Sequence, residues 1–320
     1  MKADFPVFYV TQVVRFFYRF IFLSQERVTH KLKNKRIDNL CGSYNNYTMT
    51  IFPVENHRNR EGGNLVYPVY SRRSGGLSIG INLSPDKKVC FFDCPYCEIF
   101  PFTTTAQFSV KIMKDELIYA VNNAQCRAVR IQDMCFSGNG EPTLSPHFEK
   151  ALEAVHDIQK KAAPEAKLVV ITCGAGLLRD DVFSCLQNAT NSYGLDVWLK
   201  LDAGDEAWYR VINKSAIPFD SLIAKIKEFV RRSPMTLQTM LCSVRGTLPS
   251  DAEEDAWNAL ALELAQTGNV RQFQLYGKAR PSAEDRFAEA APASYLEKRA
   301  QTLKETLTRG GVEVPVSIYT

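Results

Sequence analysis

Cys90-Phe91-Phe92-Asp93-Cys94-Pro95-Tyr96-Cys97 decides how the rest of the chain is read. Three thiols at CxxxCxxC spacing can reach three irons of one [4Fe-4S] cube and leave the fourth iron without a protein ligand, because Cys thiolates are the usual holders of such clusters. An iron with open positions can bind a small molecule. Zinc is the rival occupant, but tetrahedral zinc takes four ligands, usually as two pairs. No second Cys pair follows, and the nearest histidines, His57 and His147, lie far off in sequence. Phe91, Phe92, Tyr96, Ile99 and Phe100 make the loop apolar, which suits a cluster shielded from water.

Working outward, residues 77–83 have the length and alternation of a strand running into the cysteine loop. Residues 114–123 have helical spacing through Leu117, Ile118 and Val121, and residues 129–136 read as a strand ending at Gly138-Asn139-Gly140-Glu141-Pro142. Phe148, Leu152, Val155 and Ile158 make the apolar face of the next helix, followed by a short buried strand over 168–172. The pattern continues with a helix over 180–186 and a strand over 196–201. Phe219, Leu222, Ile223, Ile226, Phe229 and Val230 then form one helix face. Strands over 235–243 and 270–276 enclose a helix over 252–265, and a helix over 293–307 precedes a last apolar stretch at 312–318. Alternating strands and helices make an α/β fold of parallel strands with right-handed helical crossovers.

The strand faces carry a further clue. Trp198, Lys200 and Asp202 share one face of their strand, as do Gln238, Met240 and Cys242, and Gln272, Gln274 and Tyr276. Parallel strands buried on both faces normally read as continuous apolar runs, and these do not. Leaving so many polar groups buried without partners costs several kcal/mol each. The expectation is therefore a wet pocket inside a barrel; the alternative is a sheet with one solvent-exposed face.

Two segments together resemble the radical S-adenosylmethionine (SAM) superfamily: the cysteine loop with its aromatic Tyr96, and the glycine segment about 40 residues on. Ser71-Arg72-Arg73-Ser74-Gly75, Phe136-Ser137-Gly138-Asn139-Gly140-Glu141-Pro142-Thr143-Leu144 and Lys200-Leu201-Asp202-Ala203-Gly204-Asp205-Glu206 resemble one subgroup, linked by similarity to wyosine-base synthases of tRNA. The resemblance runs from about Val66 to the C-terminus. It implies a partial (βα)6 barrel of parallel strands with outer helices, the cluster loop following the first strand. It also implies Cys90, Cys94 and Cys97 as ligands of a [4Fe-4S] cluster, with SAM chelating the open iron. Gly138, Asn139, Gly140 and Glu141 match the segment that bonds the SAM amino group, and Tyr96 matches an aromatic that contacts adenine, or packs the cluster. Lys200 and Asp202 resemble residues near the SAM ribose or sulfonium, with catalytic roles; a structural Lys-Asp pair is the bland reading. Arg72 and Arg73 could anchor an anionic substrate or the SAM carboxylate, or lie on the surface. Thr172-Cys173-Gly174 departs from the subgroup, which carries Asn in place of Cys173.

Apolar residues make up 45% of the 320-residue chain and charged ones 23%, the ordinary globular range, and one large domain over 49–320 is the simplest organisation. Residues 1–48 hold eight Lys or Arg against three Asp or Glu, a local +5. That leaves the remaining chain at −1 out of a total of +4. Any attraction to nucleic acid thus resides in the leading segment. Phe5 and the apolar residues up to Leu23 are interrupted by Arg15 and Arg19, which suits a helix on a membrane surface better than a span. The basic run Lys31-Leu32-Lys33-Asn34-Lys35-Arg36 could bind anionic lipid or RNA, or be a solvated linker. A start at Met49, with the first 48 residues outside the natural protein, is a further alternative.

Nine scattered cysteines do not form a disulfide framework, and a clustered triad among isolated thiols fits a reducing cytoplasm. The leading expectation is an enzyme in which a reduced cluster cleaves SAM to methionine and a 5′-deoxyadenosyl radical that removes hydrogen from a substrate. Flavodoxin or ferredoxin is the expected one-electron donor. A tRNA base, a peptide or a metabolite can each be the substrate. An iron-sulfur redox sensor without SAM turnover is the reading from another class.

Overall fold

The computed structural model describes residues 65–282 and 287–320. The expectations for residues 1–48, for the alternative start at Met49 and for His57 lie outside the described residues.

Val66–Ser71 (β1) and Gly76–Ile81 (β2) form an antiparallel hairpin. Gly80 is where Tyr67 crosses it: a Cβ there would overlap the Tyr67 ring, whose hydroxyl hydrogen-bonds the Ser137 hydroxyl at 2.7 Å. From β2 to β7 each strand is joined to the next through helix, and the two pair in parallel. Val110–Cys126 (α1) leads to Ile131–Phe136 (β3), Phe148–Ala162 (α2) to Lys167–Thr172 (β4), and Asp180–Tyr193 (α3) to Asp196–Lys200 (β5). Two helices, Glu206–Ile212 (α4) and Phe219–Val230 (α5), precede Met235–Val244 (β6); Asp251–Ala265 (α6) leads to Val270–Gly277 (β7). Ala288–Ala290 (β8) pairs antiparallel with β6, and Ala293–Arg309 (α7) brings Val316–Tyr319 (β9) parallel to β7. The sheet order β1-β2-β3-β4-β5-β6-β7-β9 is curled into a half-barrel, the expected partial barrel of parallel strands.

Alternation along the strands creates two environments. Met134, Phe136, Val170, Val197, Leu199, Leu237 and Phe273 belong to the main core with Leu117, Leu152, Ile226, Phe229 and Leu303 from the helices. Cys135, Val169 and Trp198, with Ile171, form a separate small cluster inside the curl. All six residues expected on one face of α5 are buried. At roughly 1.5–3 kcal/mol per large apolar side chain, this helix-to-sheet burial is the main force holding the curl.

The polar strand faces are turned inward, yet they meet protein groups. Gln238 is 0% exposed and donates to Gln274 at 2.7 Å, Gln274 donates to Gln272 at 3.4 Å, and Gln272 donates to the Ser317 hydroxyl at 2.6 Å. Arg73 donates to Gln238 at 3.1 Å, its guanidinium 5.1 Å from the Tyr276 ring centre and 5.8 Å from that of Trp198. The glutamines and Arg73 satisfy one another in a buried ladder, while Trp198 Nε1 and the Tyr276 hydroxyl on the same inward faces are buried without a hydrogen-bond partner. Among the described residues no helix is long and apolar enough to cross a membrane.

Candidate functional site

The cysteine loop leaves the C-terminal end of β2, the first parallel strand, and the glycine segment leaves the end of β3 beside it. Backbone joins them: Val89 N–H donates to the Asn139 carbonyl at 3.3 Å and Glu141 N–H donates to the Val89 carbonyl at 2.7 Å. Gly140, at φ +148°, makes this approach possible, because a Cβ there would overlap the Val89 carbonyl oxygen. Asn139 is held in turn, its amide N–H donating to Asn82 at 3.2 Å and its side chain to the Ser84 carbonyl at 3.2 Å.

Glu141 is 3% exposed and its carboxylate faces four donors. One oxygen accepts from Thr143 N–H at 3.1 Å, the Thr143 hydroxyl and the Thr172 hydroxyl at 2.7 Å; the other accepts from Cys173 N–H at 2.6 Å. The side chain therefore ties the glycine segment to the end of β4. Cys173 stands at the position where the subgroup carries Asn; the neighbouring Cys173 draws the Cys90 thiol below its ordinary range, while burial pushes Cys173 up.

Around the three thiols the donors suit bound sulfur. Phe92 N–H points at Cys90 Sγ at 3.4 Å, and the Asn213 carboxamide points at Cys94 Sγ at 3.6 Å. Cys97 N–H closes a turn onto the Cys94 carbonyl at 2.9 Å. Burial works against the Lys88 charge, but Cys97 and Asp93 outweigh it and hold the ammonium pKa above the ordinary lysine value. Burial pushes the Cys94 thiol up to about 12, so this sulfur is a protonated thiol near neutrality unless a metal displaces the proton. The three sulfurs share one loop, although among the described residues no three His, Cys, Asp or Glu side chains converge as a set that could hold a metal ion. A soft three-thiol donor set with N–H groups and an ammonium facing the sulfurs fits a thiolate-held iron-sulfur cluster; it lacks the fourth ligand of a closed zinc site.

Lys200 ends β5, Asp202 follows two residues on, and both face the loop. Tyr96 stands between them: Lys200 Nζ donates to its hydroxyl at 2.9 Å, and the hydroxyl donates to Asp202 Oδ2. The Lys200 ammonium also lies 4.4 Å from the Tyr96 ring centre and 5.2 Å from that of Tyr276. Burial opposes its charge, and Tyr276 with Asp202 overcomes this, so its pKa sits above the lysine value. Asp202 Oδ1 accepts from Met240 N–H at 2.8 Å, and Oδ2 accepts from Asn213 Nδ2 at 2.8 Å. A small crevice of about 20 Å³ adjoins Asp202, lined among others by Met240, Cys242, Trp257, Tyr295 and Arg299.

The structure thus brings Cys90, Cys94, Cys97, Tyr96, Lys200, Asp202 and the Gly138-to-Glu141 backbone to one end of the half-barrel. Arg72 and Arg73 go elsewhere. Arg72 is exposed and donates to the Thr320 carbonyl, and Arg73 enters the curl between Trp198 and Tyr276. Asn213, absent from the sequence reading, contacts the site most directly, and Ile212-Asn213-Lys214 carries no motif that could have marked it.

Solved structures share this architecture. SuiB of Streptococcus suis bound to precursor peptide SuiA matches at a TM-score of 0.56 and 12% identity, covering 97% of this chain and 62% of that one. A radical SAM methyltransferase from Sphaerobacter thermophilus matches at 0.55 and 15% identity, covering 76% and 66%. The chain therefore has the fold of radical SAM enzymes. Among curated relatives, the UPF0026 protein of Helicobacter pylori is 30% identical over 219 residues, 68% of this chain and 66% of that protein. Its counterpart in a second strain is 30% identical over 162 residues, so the chain spans about two thirds of the first relative's length and about half of the second's. No protein-family model matches the chain.

Proposed function

We propose that the chain is a radical SAM enzyme that holds a [4Fe-4S] cluster on Cys90, Cys94 and Cys97 and removes hydrogen from a substrate at the C-terminal end of the half-barrel. The observation that carries this reading is the placement of the three-thiol loop: it follows the first parallel strand and is bridged through Val89 to the glycine segment that follows the second. When bound, the cluster and SAM supply one-electron cleavage of SAM and hence hydrogen abstraction.

The chain's own part is to hold and orient. The Phe92 and Asn213 N–H groups face the ligand sulfurs, and Lys88 offsets their charge. The backbone of Gly138, Asn139 and Gly140 offers polar groups at the site's edge, while the Glu141 side chain keeps that backbone in place. Lys200 and Asp202 present a fixed cation and a fixed carboxylate to SAM, with Tyr96 setting their spacing. Three thiolates that must stay reduced suit the cytoplasm, with flavodoxin or ferredoxin as electron donor.

The substrate is a peptide or small metabolite rather than a tRNA base. RNA affinity relies on Lys and Arg neutralising phosphates, and the chain after residue 48 carries a net −1. SuiB, of like fold, is itself bound to a precursor peptide. The test is anaerobic reconstitution with iron and sulfide, dithionite reduction and chromatography for 5′-deoxyadenosine formed from SAM. A chain with Cys90, Cys94 and Cys97 changed to Ala runs beside it. Nucleoside from the native chain alone is the expected result. A reconstituted cluster that leaves SAM intact under all substrates tried favours the redox sensor, and retention of zinc alone overturns the reading.

A further inference from the structure

Asn213 caps the C-terminus of α4 and is 2% exposed. Its backbone carbonyl accepts from Asp93 N–H at 3.0 Å, which fixes the cysteine loop against the helix end. Its carboxamide nitrogen lies 2.8 Å from Asp202 Oδ2 and 3.6 Å from Cys94 Sγ. The Asp202 carboxylate, an acceptor only, decides which end of the carboxamide faces it. The NH2 group has two hydrogens, one for the carboxylate and one for the sulfur. One residue thus links a proposed cluster ligand to Asp202, which Tyr96 links to Lys200.

We infer that Asn213 sets the reduction potential of the cluster through its N–H to Cys94 Sγ, with Asp202 holding the carboxamide in position. The inference rests on the cluster reading above. A hydrogen bond to a ligand sulfur stabilises the reduced, more negative cluster more than the oxidised one, and so raises the potential. Asn213 is a positioning residue in this account, because it acts on the metal through Cys94. Asp202 gives the link a direction: the carboxylate restrains the donor and prevents the carboxamide from turning its oxygen toward the sulfur.

The experiment compares the reconstituted native chain with Asn213→Leu, which removes both N–H groups, and Asn213→Gln, which keeps an amide. Potentials come from redox titration followed by electron paramagnetic resonance, and an exchangeable proton coupled to the reduced cluster is sought by double resonance in H2O and D2O. The expected result is a lower potential and loss of one exchangeable coupling in Asn213→Leu, with Asn213→Gln recovering part of both. Native potential and native couplings in iron-loaded Asn213→Leu overturn the inference. So does an Asn213→Leu chain that holds no iron while loaded Asn213→Gln shows no recoverable donor, which is the behaviour of a merely structural cap. A native chain that assembles no cluster removes the proposed function and this inference together, whereas a native cluster with unshifted variants removes the inference alone.

Discussion

Glu98 and Arg280, 182 residues apart in sequence, form a two-pronged ion pair: Arg280 Nε donates to Glu98 Oε2 at 2.9 Å and Nη2 to Oε1 at 3.0 Å. Glu98 directly follows Cys97, and Arg280 lies in the segment leaving β7, so the pair ties the end of the cysteine loop across the half-barrel. Both side chains are mostly shielded, at 19% and 27% exposure. Bidentate Arg-carboxylate pairs are among the stronger and more directional polar contacts. Glu98→Gln should leave global unfolding within about 1–2 kcal/mol of native yet speed iron release from the reconstituted chain to a chelator several-fold. Equal release rates would show that the loop is held without this pair.

Gly140 makes a sharper prediction. Its φ of +148° is strained for any L side chain, and a Cβ would overlap the Val89 carbonyl that accepts from Glu141 N–H. Gly140→Ala should therefore break the bridge between the two loops. A cost of roughly 1–3 kcal/mol for the unfavourable backbone alone is expected, read in urea unfolding, together with poor cluster assembly. Gly75→Ala is the control, since its added Cβ meets nothing within 4 Å although its φ is also positive. It should assemble the cluster normally.

Asp133 supplies a pH dependence away from the cysteines. It is 3% exposed on the inner face of β3, accepts from the Ser78 hydroxyl, and burial raises its pKa against the pull of Ser74, Ser78 and Arg73. A carboxyl raised on folding binds its proton more tightly in the native state, so its contribution is full below the unfolded value of about 3.9 and falls as pH rises through the folded value. Asp133→Asn cannot ionise. The stability of the native chain relative to Asp133→Asn should therefore decline with rising pH above about 4 and then level off. A difference that stays flat from pH 4 to 7 in urea titrations would remove the buried, raised carboxyl from the account.

How much of this was legible in the sequence varies with the element. The α5 face was readable because six apolar residues at helical spacing all turn to one core. β1 was not, since Pro68 lies in mid-run and Pro argues against an interior strand; it is tolerated here because β1 is the edge of the sheet. α4 escaped because seven residues show too little periodicity, although Asp205 caps it by accepting from Trp208 N–H at 2.8 Å. The inward polar faces of β6 and β7 followed from alternation. That Gln238, Gln274 and Arg73 would satisfy one another depends on register and on the hairpin turn, which one chain's local pattern does not encode. Cysteine spacing marked the loop, but Asn213 entered only through tertiary contact. Motif spacing thus located the ligands; the groups that orient them come from neighbouring elements.

Glu141 separates scaffold from cofactor contact. The resemblance places it beside SAM, whereas the structure gives its carboxylate four protein donors from Thr143, Thr172 and Cys173. Glu141→Ala would leave these buried donors without their acceptor, each costing about 1–3 kcal/mol where water cannot replace it. The expected outcome is a large loss of stability in the cluster-free chain, with the thermal midpoint falling by several degrees. Glu141→Gln should lose less, because one oxygen still accepts from the threonines, but its NH2 would face the Cys173 N–H or displace it. If Glu141 acted mainly on SAM, both variants would melt as native and only SAM affinity would fall. Calorimetry of the cluster-free chains therefore decides between the two roles before any cofactor is added, and a native midpoint for Glu141→Ala would return this residue to the SAM site.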